Sequence, residues 1–248
     1  MKSKRYKWLW VLAALLIIAA IAVMVWLNRG QKRYAEWPQT DLKAGEPFST
    51  GYQGVDISQY QGRIFWDTLK KQNPELQFVY LRAVGKNNKD VNYVHNLNQA
   101  RQLGIKVGSY HFFNMAVPVA RQMADFSRMV ISELQDLRPV LDVEDQSLCD
   151  GDTTHLVDSV KKMAVLMEEH YHCKPVIYTN QNFYNDYLAP HFNDYPLWIA
   201  NYSKKPVVKG ADPILWQKSE TGHVRGIWTD VDLDQFINGG SLRDLQRK

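Results

Sequence analysis

The chain has 248 residues, 45% of them hydrophobic, enough for one large domain with a sizeable core. Its formal charge of +4 is local in origin, because residues 1–33 hold seven Lys and Arg and no acid, leaving 23 basic against 26 acidic residues in the remainder. A mildly acidic remainder excludes a binder of phosphate backbones, which needs a clustered basic face on the folded domain itself.

Residues 1–7 form a basic flank with Lys2, Lys4, Arg5 and Lys7, followed at 8–27 by an unbroken apolar run from Trp8 to Leu27. About 20 such residues cross about 30 Å of hydrocarbon as a helix. A single-pass transmembrane signal anchor is therefore expected, with the flank cytoplasmic and everything after Asn28 outside. Ala20-Ile21-Ala22 fits a signal cleavage pattern, but the apolar run continues past it to Trp26 and Leu27, which favours an uncleaved anchor. Residues 28–49 are polar, carry Pro38 and Pro47, and read as a tether. Residues 50–248 are the expected folded domain.

Within that domain short apolar runs alternate with amphipathic stretches. Strands are predicted at Gly54 to Ile57, Phe78 to Ala83, Lys106 to Phe112, Pro139 to Val143, Pro175 to Tyr178, Leu197 to Ala200, Ile214 to Gln217 and Val231 to Leu233. Helices are predicted at Phe65 to Gln72, Tyr93 to Leu103, Pro118 to Leu137 and Thr153 to Tyr171, the last after the capping candidate Asp152. Eight buried strands alternating with helices in about 200 residues indicate an α/β fold, a β/α barrel whose second half is irregular. An open doubly wound sheet is the alternative, and its glycine-rich phosphate turn is absent.

In such barrels reactive groups sit at the C-terminal strand ends. Polar residues there are Asp56, Arg82, His111, Asp142, Glu144, Asn201, Gln217 and Asp232. In Pro139-Val-Leu-Asp-Val-Glu144 the period of two puts Asp142 and Glu144 on one face, about 7 Å apart along the strand. Two carboxylates in one poorly solvated mouth do not both ionise freely, which leaves a protonated acid near neutral pH, as glycosidic bond cleavage requires. An acid at a strand end also serves simply to cap a helix or pair with Arg, and only the spacing distinguishes this pair. Asp56 and Asp232, on the first and last strands, become neighbours if the barrel closes. Tyr110, Phe112, Tyr178, Trp198, Tyr202 and Trp216 offer flat faces for sugar rings as well as core packing.

No GxSxG elbow, HExxH, Walker loop or CxxC pair is present. His170, His172 and Cys173 sit where adjacent side chains of a helix end diverge, so no metal and no cofactor are expected. Cys149 and Cys173 bracket a helix of about 18 residues and about 27 Å, beyond disulfide reach, so two free thiols are expected. No exposed heptad or repeat points to an oligomer, and a monomer is expected.

Taken together the motifs resemble the family 25 glycoside hydrolases, the Chalaropsis-type lysozymes, over about residues 52–238. The resemblance rests on Gly54-Val-Asp-Ile-Ser58, Tyr60-Gln-Gly62, Leu81-Arg-Ala83, Asp90, Asn96, Gly108-Ser-Tyr-His-Phe-Phe113, Leu141-Asp-Val-Glu144, Ile177-Tyr-Thr179, Leu197-Trp-Ile-Ala-Asn-Tyr202, Trp216-Gln217 and Val231-Asp-Leu233. It implies an irregular, flattened barrel and cleavage between N-acetylmuramic acid and N-acetylglucosamine in peptidoglycan. The general acid falls on Glu144, the other active-site carboxylates on Asp56, Asp142 and Asp232. Two departures stand out: Phe65, where the family commonly has Asp, and a Lys86–Lys89 loop richer in Lys and Asn than usual. With the anchor, the resemblance places a catalytic domain outside a bacterial cytoplasmic membrane, its partners the lipid bilayer and glycan strands. A tethered wall-binding protein without turnover, and a barrel hydrolase of another exported polysaccharide, are the alternatives.

Overall fold

Eight strands close into a barrel in strict chain order: β1 (Gly54–Ile57), β2 (Phe78–Val84), β3 (Lys106–Phe112), β4 (Val140–Asp142), β5 (Val176–Asn180), β6 (Leu197–Ala200), β7 (Leu215–Val224) and β8 (Ile227–Phe236). This computed structural model describes residues 43–86, 88–148 and 153–247. The basic flank, the expected membrane anchor, the tether as far as residue 42, Cys149 and Asp152 lie outside them. Among the described residues no helix is long and apolar enough to cross a membrane.

Neighbours from β1 through β7 are parallel, whereas β8 runs antiparallel to both β7 and β1. The last strand therefore departs from a simple parallel barrel. The cause is local: only Arg225 and Gly226 separate β7 from β8, and a two-residue connection makes a hairpin, whereas a parallel return needs a dozen residues or more. Gly226 turns at φ +95°, and an added Cβ would fall 2.6 Å from the Leu69 backbone nitrogen.

The helices α1 (Trp66–Gln72), α2 (Tyr93–Gln102), α3 (Val119–Met129) and α4 (Leu156–Tyr171) follow β1 to β4. Their buried faces, including Leu97, Phe126, Met163 and Met167, join the outward strand residues Val79, Leu81, Leu141 and Ile177 in one apolar layer. The helix predicted from Pro118 to Leu137 is shorter: Val130 leaves helical geometry for an extended backbone at φ −104°, ψ 91°. A second apolar cluster fills the barrel itself, with Phe78, Tyr80, Val140, Val176, Trp198 and Leu215, and with Leu137 and Leu245 of the C-terminal helix α5 (Leu242–Leu245). Gly108 makes room for this filling, since a Cβ there would lie 2.1 Å from the Tyr80 ring.

Residues 43–49, read from the sequence as the end of the tether, lie against the hairpin. Ser49 N donates to the His223 carbonyl at 2.8 Å, Lys43 pairs with Asp230 at 2.6 Å, and the Arg225 guanidinium sits 4.0 Å over the Phe48 ring. Phe65, where the resembled family commonly has an acid, starts α1 without a side-chain cap and instead stacks on Trp228 of β8 at 4.3 Å.

Candidate active site

Inward residues near the C-terminal ends of the parallel strands line a cavity of about 290 Å³, among them Asp56, Arg82, Tyr110, Phe112, Asp142, Glu144, Tyr178, Trp198, Tyr202, Gln217 and Asp232. The alternation that predicts Asp142 and Glu144 on one face holds even though β4 ends at Asp142. Glu144 keeps an extended backbone at φ −132°, ψ 177° before the helical turn Asp145–Ser147, and Ser147 Oγ accepts a hydrogen bond from its backbone N–H at 2.9 Å.

Asp56 and Asp232 are directly opposed in the β1–β8 register. Asp232, expected at a strand's C-terminal end, instead stands within the reversed strand, and closure of the barrel brings it to Asp56. Gln217 ties this side of the cavity to the aromatic wall. Its Nε2 donates to Asp56 Oδ2 at 2.8 Å, and its Oε1 accepts from the hydroxyls of Tyr178 at 2.7 Å and Tyr202 at 2.9 Å. Arg82 is held on buried Asp90 by Nη2 and Nε, both at 3.2 Å, and its guanidinium lies 4.6 Å from the Tyr60 ring centroid.

Burial governs the electrostatics. It pushes Asp142 well above the usual carboxylate range, with the neighbouring charge of Glu144 and the hydrogen bond between the two adding to it and Arg82 opposing it. Burial also raises Glu144, against the lowering effect of its hydrogen bond with Asp142. Asp232 is pushed up to about 9 by burial and then by Asp56, and Asp56 rises through burial and Asp234. The physical reason is shared: several carboxyls crowd above an apolar floor with one guanidinium among them.

Three predicted site residues lie elsewhere. His111 alternates with the inward Tyr110 and Phe112 and so faces α3, where its Nε2 is 2.9 Å from Gln122 Oε1 and its ring packs on Phe126. Trp216 alternates with Gln217 and is absent from the cavity wall; its indole N–H donates to the Asn201 carbonyl at 2.8 Å. Asn201 borders an adjoining depression that shares Glu144, Tyr178, Tyr202 and Glu220 with the main cavity. Sequence reasoning missed Tyr60, Gln61 and Glu220 on the cavity wall, and Asp234, fully buried with its carboxyl beside the Trp198 indole. The period of two from Asp232 was the signal for Asp234; nothing local marked Glu220.

This arrangement of acids on a closed barrel coincides with a match of residues 55–227 to the model of glycosyl hydrolases family 25. The chain belongs to this family. Its relatives include lysozyme M1 of Streptomyces globisporus, 30% identical over 221 residues, 81% of this chain and 72% of that one. The Escherichia coli protein YegX is 32% identical over 205 residues, 81% of this chain and 74% of that one. Among solved structures, the bacterial lysozyme of Streptomyces coelicolor superposes with a TM-score of 0.68 at 28% identity, covering 79% of this chain and 95% of that one. As a family 25 member the chain is a glycoside hydrolase.

Proposed function

We propose that this glycoside hydrolase is a muramidase, hydrolysing the β-1,4 bond between N-acetylmuramic acid and N-acetylglucosamine in peptidoglycan. The observation that carries the reading is the pair Asp142 and Glu144, both raised by burial, in an aromatic-walled cavity of a family 25 barrel. The relatives named lysozymes in two genera support the substrate class.

Glu144 is the general acid. It is the more open of the pair and borders both the deep cavity and the adjoining depression, where the oxygen of a bond crossing from one to the other meets its proton. Asp142, more enclosed and hydrogen-bonded to Glu144, stabilises the developing oxocarbenium charge or orients the substrate's acetamido group. Asp56 and Asp232 hold the charge and water of the opposite wall, and Gln217 fixes Asp56 in place. Tyr178, Tyr202 and Tyr110 supply faces and hydroxyls for sugar rings.

Residues 8–27 hold the enzyme in the bacterial cytoplasmic membrane as a single-pass monomer, with the catalytic domain on the periplasmic or extracellular side; the basic flank supports this orientation. With residues 43–49 packed on the domain, a tether of about 15 residues would have a root-mean-square span near 20 Å, which restricts cleavage to nearby wall. Carbonate washing of membranes is expected to leave the full chain bound and to release a chain lacking residues 8–27.

The test is incubation of the detergent-solubilised full chain with purified peptidoglycan, counting new reducing ends and identifying their sugar. Muramic-acid ends that vanish in Glu144→Gln support the proposal. Equal activity in the two proteins, or saturable binding without product, sinks it.

A further inference from the structure

Phe112 lines the active-site cavity on one side and a second cavity, of about 360 Å³, on the other. This second cavity opens at the ends of β2 and β3, beside the start of α3, and takes in the Lys-rich loop that sets this sequence apart from the family pattern. Lys86, Lys89 and Arg121 border it, against one acid, Asp125. All three cations are exposed. Among the described residues neither lysine makes an ion pair, and Arg121 has only a loose one, 3.9 Å to Asp125. An excess of uncommitted cations around a concave site favours a ligand that carries carboxylates.

The buried lining beneath them is held in a fixed arrangement. Gln122 Oε1 accepts from the Asn114 backbone N–H at 2.9 Å, while its Nε2 donates to the carbonyls of Asn114 and Val117 at 2.9 and 2.7 Å. The amide orientation is thereby determined, so His111 Nε2 is the donor to Gln122 Oε1. In the neutral ring this leaves Nδ1 as a bare acceptor. His111 is 2% exposed, and its Nδ1 has no hydrogen-bond partner. Burial pushes the imidazole down to about 4, which keeps the ring neutral. The site thus sets three exposed cations around a fixed polar floor, which suits an acidic peptide.

We propose that this cavity is a subsite for the acidic stem peptide of the substrate, its carboxylates on Lys86, Lys89 and Arg121. The proposal rests on the muramidase reading, because muramic acid carries such a peptide on its lactyl group. An extended stem of four residues reaches about 13 Å, so a glycan bound on one side of Phe112 has its stem available to the other.

The experiment compares peptide-bearing glycan with the same strands stripped by an amidase, using the full chain and a Lys86→Ala/Lys89→Ala/Arg121→Ala variant. Three exposed charge contacts together are worth about tenfold in KM. The wild type is expected to show a KM about tenfold lower on peptide-bearing strands, and the triple variant to lose that preference while cleaving stripped strands at the wild-type rate. A wild type indifferent to the peptide, or a preference that survives in the triple variant, overturns the subsite. Failure of the wild type on both substrates strikes the muramidase reading instead. The subsite is then judged by calorimetric titration with the free tetrapeptide: heat lost in the triple variant supports it, and no heat, or heat unchanged by the substitutions, overturns it.

Discussion

Toward the N-terminal ends of the strands the barrel interior holds Tyr80, Val140, Val176 and Leu215; two residues further along the same strands stand Arg82, Asp142, Tyr178 and Gln217. One step of the strand period, about 6.6 Å, separates an apolar plug from a polar cavity. The two layers are interdependent. The plug denies water to the cavity from below, and this is why burial heads the causes of raised acidity for Asp56, Asp142, Glu144 and Asp232. Asp234 is the exception that tests the division, because it opposes Gly54 one step below the Asp56–Asp232 pair and lies fully buried in the plug.

The contrast breaks most visibly at the proton donor. Glu144→Gln is expected to lower kcat by about 10²- to 10⁴-fold, the range for loss of a general acid, measured by reducing-end release with the fold checked by circular dichroism. Asp142→Asn should cost about a hundredfold through lost stabilisation of developing charge; a variant within twofold of wild type would remove Asp142 from the reaction. Gln217→Ala strands Asp56 and two tyrosine hydroxyls, and should lower stability by about 1–3 kcal/mol in denaturant titration.

Two pH experiments sharpen the comparison. Glu144 donates only while protonated, so the rate should persist below its raised folded pKa and fall as pH climbs through it. Glu220, which bears on Glu144 and Asp232 from the hairpin, contributes to that elevation, and Glu220→Gln should move the alkaline limb down by a fraction of a pH unit. Asp232 and Asp234 hold protons in the folded state that they release when unfolded. Their contribution to stability is therefore complete below the unfolded carboxylate pKa and is lost as pH rises toward the folded values, about 9 for Asp232. Asp234→Asn should flatten the fall of Tm between pH 5 and pH 8 and raise Tm at pH 8; an equal loss of Tm at both values would show that its ionisation is not what distinguishes it.

What the sequence determined alone is what depends on local period. Strand positions, the shared face of Asp142 and Glu144, and the four helices that follow β1 to β4 all repeat within a few residues, so short-range pattern suffices to place them. The same alternation carried a signal that His111 and Trp216 face away from Tyr110, Phe112 and Gln217, and the count of polar strand ends passed over it. Tertiary structure alone decided the rest. Reversal of β8 follows from a two-residue turn, but the opposition of Asp232 and Asp56 requires closure across a separation of 176 positions. The network from Asp56 through Gln217 to Tyr178 and Tyr202, the reach of Glu220 into the cavity, and the meeting of the Lys86 loop with His111 and α3 join residues distant in the chain. The physical reason is that side-chain direction is set by the backbone at each residue, whereas proximity between strands is set by how the whole sheet closes.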